Sequence, residues 1–314
     1  MITMHFMEGL VIKNTGSWYQ VEDAQSGRTV MCKLKGAFRL REGRTTNPVA
    51  VGDRVDYDLE ADGTGVIEAI RERKNYIIRR SSNLSKEAHI IAANLDRAFI
   101  VVTLDFPETK PEFIDRFLVT AEAYNVPPTI ILNKEDLYSR EYDDLLDGFK
   151  HTYELAGYPI LQVSATEGTG IDGLRKEIQG QVSLFSGNSG VGKSTLIHAI
   201  DPSLNPRTGE ISAYHNRGKH TTTFSEMFKL SEGGYIIDTP GIKGFGLVDF
   251  EKEEVGRYFP EIFRYAPDCQ YYNCTHTHEP GCAVQEAVAE GAVAQSRYIS
   301  YLKVLEDENL KYRK

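Results

Sequence analysis

The chain has no apolar run approaching the ~18 residues that a membrane-spanning helix needs. Glu8 and Lys13 interrupt the N-terminal stretch where a signal peptide would need continuous hydrophobicity. Together these absences point to a cytoplasmic protein with no membrane partner. Positive net charge is also lacking. Forty-five acidic side chains against 36 basic ones give −9, which argues against nucleic-acid binding driven by overall charge but leaves room for a local basic surface. A disulfide framework is lacking as well. There are only four cysteines, and three of them (Cys269, Cys274 and Cys282) share one short segment far from Cys32. An odd cluster with a distant fourth thiol is a poor disulfide set, and a reducing cytosol would not maintain one. No internal repeat or low-complexity tract is visible. What remains is an ordinary globular composition, 41% hydrophobic and 26% charged over 314 residues, enough for two or three domains with cores of their own.

The organisation changes along the chain. Residues 1–86 hold 14 basic and 11 acidic side chains, a net +3, so the rest carries −12. Two basic runs stand out: Arg28, Lys33, Lys35, Arg39, Arg41 and Arg44, then Arg71, Arg73, Lys74, Arg79 and Arg80. Each reads either as a solvated face or as a contact for nucleic acid. Phe6–Ile12, Trp18–Val21, Thr29–Leu34, Val49–Tyr57 and Gly65–Ile70 are rich in β-branched and aromatic residues and are separated by turn signals. Five short strands in so small a unit predict a closed or nearly closed barrel, and the OB-fold is the commonest such barrel that binds nucleic acid. The single Trp18 is expected in its core, with base stacking as the alternative. From residue 95 onward, apolar runs (98–103, 129–132, 160–163, 182–185) alternate with segments of helical spacing (112–124, 141–155, 171–178). That alternation predicts a parallel sheet with helices on both faces. A helix is expected from about Val284 to Glu308.

Gly187-Asn188-Ser189-Gly190-Val191-Gly192-Lys193-Ser194 fits the Walker A pattern G-x-x-x-x-G-K-[ST], after a strand and before a helix. Its glycines let backbone N–H groups converge on phosphate oxygens at a helix N-terminus. Lys193 is placed to reach the β- and γ-phosphates, Ser194 to ligate Mg²⁺, and Thr195 beside it to join the nucleotide contacts. Asp238-Thr239-Pro240-Gly241 follows another apolar strand. Alone, D-x-P-G is a common turn. After a Walker A it supplies a carboxylate for Mg²⁺ and the Gly241 N–H for the γ-phosphate. Asn133-Lys134-Glu135-Asp136 adds base selection, because the Asp136 carboxylate can accept from both donors on the guanine edge, a pair that adenine lacks. Ser164-Ala165 fits the second guanine-contacting loop. The set selects GTP over ATP.

These are the parts of a GTPase in an unusual order. The guanine segments precede the phosphate loop, and the Mg²⁺ strand comes last, so the sheet closes only if the usual termini are joined and the chain is cut elsewhere. The long segment 205–223 reads as a switch loop ending Arg217-Gly218-Lys219-His220-Thr221-Thr222-Thr223. Thr222 is the favoured threonine for completing the Mg²⁺ shell, and His220 is the candidate for orienting the attacking water. Ile242 occupies the position where Ras-like enzymes carry a water-orienting glutamine, so slow intrinsic hydrolysis is expected. Gly190 stands where potassium-activated GTPases carry asparagine, so potassium activation is not expected. Farther on, Cys269-x4-Cys274-x-His276-x5-Cys282 offers three thiolates and an imidazole, a set suited to one structural Zn²⁺, with His278 as the rival fourth ligand.

The strand-rich start, the order N-K-x-D, S-A, G-N-S-G-V-G-K-S, K-H-T-T-T, D-T-P-G, and the terminal Cys-Cys-His-Cys cluster together resemble the small-ribosomal-subunit-dependent GTPase A family of bacteria. The family usually has G-R-G-R-H-T-T-T at the switch, where this chain reads Asn216-Arg217-Gly218-Lys219 before His220. The resemblance implies a multidomain α/β protein: an OB-fold barrel (1–72), a circularly permuted P-loop GTPase domain (73–248) and a mostly helical zinc-binding domain (249–314). It also implies binding to the small (30S) ribosomal subunit and its rRNA in late assembly, with GTP hydrolysis stimulated by the subunit. The expected ligands are GTP or GDP, Mg²⁺ and one Zn²⁺, on a monomer. A GTP-gated signalling or metal-delivery switch with a protein partner is the alternative reading.

Overall fold

The computed structural model describes residues 6–35, 48–80, 88–204, 225–239, 247 and 250–306. The first five strands are β1 (Met7–Asn14), β2 (Tyr19–Asp23), β3 (Thr29–Leu34), β4 (Arg54–Leu59) and β5 (Gly65–Ile70). They pair β1–β2, β2–β3, β3–β5, β5–β4 and β4–β1, which closes a five-stranded barrel. Its core is Val11, Tyr19, Val21, Cys32, Val49, Val55, Tyr57 and Ile67.

Two expectations about the barrel fail. Trp18 is 41% exposed, not core. Tyr19 takes the inward position, and a pleated strand turns adjacent residues to opposite faces. The run Val49–Tyr57 is not one strand. Gly52, at φ +91°, turns the chain against Ala93, the buried Asp53 carboxylate accepts from the Ala50 N–H (2.7 Å), and the strand starts only at Arg54.

A hairpin that the sequence reading missed follows: β6 (Tyr76–Arg80) with β7 (Ala88–Ala93). Next come β8 (Arg97–Val102), α1 (Pro111–Ala123), β9 (Pro128–Leu132), α2 (Asp143–Leu155), β10 (Ile160–Gln162), α3 (Ile171–Ile178), β11 (Val182–Gly187), α4 (Lys193–Ile200), β12 (Glu226–Lys229) and β13 (Tyr235–Asp238). Strands β10-β9-β8-β11-β13 run parallel in that order, and β12 joins antiparallel at the end. Their near-continuous apolar sequences suit strands covered on both faces. One face packs on α1 through Ile114, Phe117 and Leu118. The other packs on α3 and α4 through Leu174, Ile178, Leu196 and Ile197. Because β1 pairs with β12, the barrel and this sheet form one eleven-stranded sheet among the described residues.

The last part is helical: α5 (Lys252–Val255), α6 (Pro260–Tyr265), α7 (Ala283–Ala289) and α8 (Gln295–Glu306). The single helix expected from Val284 is thus two. Gly291 lies at φ +78°, with its N–H bonded to Val288 O and the Ala292 N–H bonded to Ala287 O. This is a Schellman stop, and it needs the left-handed backbone that glycine adopts without strain.

Candidate nucleotide site and metal centre

The nucleotide motifs meet at the carboxyl ends of β9, β10, β11 and β13, the edge where open parallel sheets bind ligands. Gly187 ends β11, and Gly192 opens α4 at φ +90°. A β-carbon on Gly192 would sit 2.5 Å from Asn133 Nδ2, and one on Gly187 would sit 2.7 Å from Val101 O. The loop therefore approaches its neighbours as closely as glycine permits. Asn188, Ser189 and Gly190 arch over the turn, with Ser189 and Gly190 exposed and Val191 buried beneath. In the first turn of α4, Ser194 is half-buried and Thr195 exposed.

Asn133 joins the separate segments. It is buried, its Nδ2 donates to Val191 O in the phosphate loop (2.8 Å), and its Oδ1 accepts from Ala165 N (3.1 Å). Lys134, in the left-handed region at φ +67°, donates its Nζ to Gly190 O at 2.7 Å and also to Phe106 O. Asp136 Oδ1 accepts from Ser164 Oγ (2.5 Å), and Asp136 Oδ2 accepts from Thr166 Oγ1 (3.4 Å). Glu135 begins a single 3-10 turn, its N–H bonded to Val163 O (3.2 Å).

Three supports escaped the sequence reading. Thr166 orients Asp136. Tyr138 OH donates to Asn133 O (2.9 Å) and accepts from Leu104 N (2.9 Å). The third is the loop 103–109, which brings Pro107 against Gly190. None of the three has a spacing signature of its own, because each acts through folded proximity.

Lys193 Nζ is ion-paired with Asp238 Oδ1, both side chains largely buried. Burial pulls the Lys193 ammonium down to about 8, while the carboxylate in contact acts in the opposite sense. Ser194 and Asp238 supply the hard oxygen donors that suit Mg²⁺. His220, Thr222 and Gly241 lie outside the described residues, as do Ile242, Arg39, Arg41 and Arg44.

Cys269, Cys274, His276 and Cys282 place their ligand atoms within 4.8 Å of one another. His276 Nδ1 lies 3.5 Å from both Cys269 Sγ and Cys282 Sγ, and those sulfurs are 4.0 Å apart. Tetrahedral bonds of ~2.3 Å to sulfur and ~2.0 Å to nitrogen span roughly 3.5–3.8 Å between ligands, so a zinc-sized ion fits. Burial pushes the Cys274 thiol up to about 12, so its thiolate needs a cation beside it. His278 is exposed and pairs with Thr277 Oγ1 (2.8 Å). Around the cluster, Tyr298 OH donates to His276 O (2.6 Å) and Tyr301 OH to Thr275 O (2.8 Å).

In the second basic run three cations have acidic partners, and the side chains of Arg79 and Arg80 lie outside the described residues. Arg73 holds the fully buried Asp53, Arg71 pairs with Glu8 and Asp56, and Lys74 pairs with Asp96. In the first run, Lys33 and Lys35 pair with Glu60 and Glu68 but stay about half exposed.

Comparison with known proteins agrees with this geometry. The RsgA N-terminal domain family matches residues 8–67, and the RsgA GTPase family matches residues 70–248. A protein of Bacteroides thetaiotaomicron named small ribosomal subunit biogenesis GTPase RsgA 2 is 60% identical, over 98% of this chain and 99% of its own. A Christiangramia forsetii relative with the corresponding RsgA name is 51% identical over 98% of both chains. Among solved structures, YjeQ from Thermotoga maritima superposes with a TM-score of 0.77 at 36% identity, over 99% of this chain and 100% of that one. YloQ, described as a circularly permuted GTPase, superposes with a TM-score of 0.72 at 28% identity, over 100% of this chain and 98% of that one. With its permuted strand order, its joined guanine and phosphate loops and matches of this length, the chain belongs to the RsgA GTPase family.

Proposed function

We propose that this protein hydrolyses GTP in the service of small-ribosomal-subunit assembly, as its relatives are named for doing. The observation that carries the reading is Asn133, which bonds the phosphate loop and the Ser164-Ala165 loop at once. That bridge makes one site from segments whose chain order is permuted.

Asp136 accepts from the guanine edge, and a backbone N–H of the Ser164-Ala165 loop meets the base oxygen. Lys134 braces the loop at Gly190. Gly187 through Gly192 present backbone donors to the phosphates, with Ser194 and Thr195 at the helix start. Lys193 exchanges Asp238 for the β- and γ-phosphates, which frees the carboxylate. Ser194, Asp238 and, from the switch, Thr222 are the residues that hold Mg²⁺, which neutralises charge on the phosphates. Gly241 donates to the γ-phosphate. Water adds to the γ-phosphorus and GDP leaves; His220 is the residue assigned to orient that water. With Ile242 unable to do so, turnover depends on the subunit.

Cys269, Cys274, His276 and Cys282 hold a structural Zn²⁺ that gives residues 249–314 their fold. The barrel (1–72) and this module grip rRNA on either side of the GTPase domain (73–248), and the protein works as a cytoplasmic monomer. Sedimentation with purified small subunits tests the reading. The chain is expected to pellet with subunits in the presence of a non-hydrolysable GTP analogue and to remain in the supernatant with GDP. Failure to pellet with either nucleotide would refute it.

A further inference from the structure

The row of residues that contains Asp238 continues into the barrel. Asp238 of β13 stands opposite Glu226 of β12, and Glu226 stands opposite Lys13 of β1. Directly opposed residues on antiparallel strands share a face, with β-carbons roughly 4.5–5.5 Å apart. The packing agrees. Met227 and Ile237 lie in the core against α1, whereas Phe228 and Ile236 pack in the core against α4. By alternation, Glu226 and Asp238 share the α4 face, the face of the phosphate-loop helix.

Two neighbouring carboxylates repel unless each is compensated. Lys193 compensates Asp238 from α4. Lys13 compensates Glu226 from the barrel, Nζ to Oε1 at 2.6 Å. The row thus runs from one domain into the other: a barrel cation, two carboxylates of the GTPase sheet, and the phosphate-loop cation. The seat that brings Lys13 there is reinforced by Glu22 of β2, which accepts from Lys229 Nζ (2.6 Å) and Tyr235 OH (2.9 Å).

We propose that Glu226, neutralised by Lys13 of the barrel, is a positioning residue for Asp238. The barrel's seat on β12 thereby sets the charge beside the Mg²⁺ carboxylate and the affinity of the site for Mg²⁺. The proposal rests on the reading of Ser194 and Asp238 as Mg²⁺ ligands. Once phosphate takes Lys193, the Lys13–Glu226 pair is the compensated neighbour left to Asp238 in this row. Removing the Lys13 charge leaves Glu226 uncompensated and makes the site more attractive to a cation. Removing the Glu226 charge leaves Lys13 facing Asp238 and makes it less so. A phosphate of bound RNA that drew Lys13 away would act like the first change, so contact made by the barrel would be felt at the nucleotide.

The test measures binding of a fluorescent GDP analogue to the full chain as Mg²⁺ is titrated, in wild type, Lys13→Met, Glu226→Gln and the double variant. Half-saturating Mg²⁺ is expected to fall about threefold in Lys13→Met and rise about threefold in Glu226→Gln, the scale of a part-exposed charge pair. It should return close to wild type in the double variant. Both single variants moving the same way, or neither moving, would overturn the proposal and leave the Mg²⁺ assignment standing, since a merely structural pair has no reason to give opposite signs. Wild-type binding indifferent to Mg²⁺ would overturn both.

Discussion

Asn133 donates to one loop and accepts from another with a single buried amide. Asp136, three residues on, is held by Ser164 and Thr166, which orient its carboxylate. Preorganised acceptors of this kind discriminate strongly, because an analogue without the donors leaves them unpaired. Asp136→Asn replaces an acceptor with an amide donor and should weaken GDP binding on the order of a hundredfold, while xanthosine diphosphate, which offers an acceptor there, should gain. Equilibrium competition between the two nucleotides checks this. Residues such as Asn133, Asp136, Lys193 and the Cys269, Cys274, His276 and Cys282 cluster are legible in the sequence because they stand in patterns of fixed types at fixed spacings. Thr166, Tyr138 and Glu226 are not, since hydroxyls and carboxylates like theirs occur everywhere and acquire a role only through the neighbour that folding brings.

Between elements, Arg297 of α8 ties α1 to α6. It is buried, with Nη1 on Asp115 of α1 (2.7 Å) and Nε on Glu261 of α6 (2.7 Å). The rings of Phe259 and Tyr158 lie 4.9 and 5.4 Å from its guanidinium carbon. Burial raises the Asp115 carboxyl, and the Arg297 guanidinium is the main influence opposing it. Arg297→Ala strands two buried carboxylates and should cost about 3–5 kcal/mol, seen as a lower midpoint in urea. At the barrel, Asp23 accepts from Ser26 Oγ (2.6 Å), Ser26 N (2.7 Å) and Tyr57 OH (2.8 Å), and these bonds lower its carboxyl to about 2. A depressed carboxylate stabilises the fold above its unfolded pKa, near 4, and loses that contribution as pH falls toward 2. Asp23→Asn should therefore flatten the acid limb of stability between about pH 4 and 2, followed by thermal melts across that range. Strand and helix positions are largely legible from periodicity. The β6–β7 hairpin is not, because its basic residues resemble a linker, and the break at Gly291 hides in an otherwise helical run.

Across the whole molecule, the sheet is continuous from barrel to GTPase domain, and α8 docks the C-terminal helical module onto α1. The nucleotide edge of the sheet therefore has physical connections to both outer modules, through β12 on one side and α1 on the other. No such arrangement can be read from charge or period alone, because it depends on Lys13 pairing with a residue more than two hundred positions away. Hydrolysis of GTP by the purified chain, alone and with small subunits added, is the decisive measurement for the proposal that the permuted segments form one GTP site whose turnover the small subunit drives. A low basal rate, raised many-fold by subunits and lost in Lys193→Ala, is the predicted result; a rate that subunits leave unchanged would contradict it.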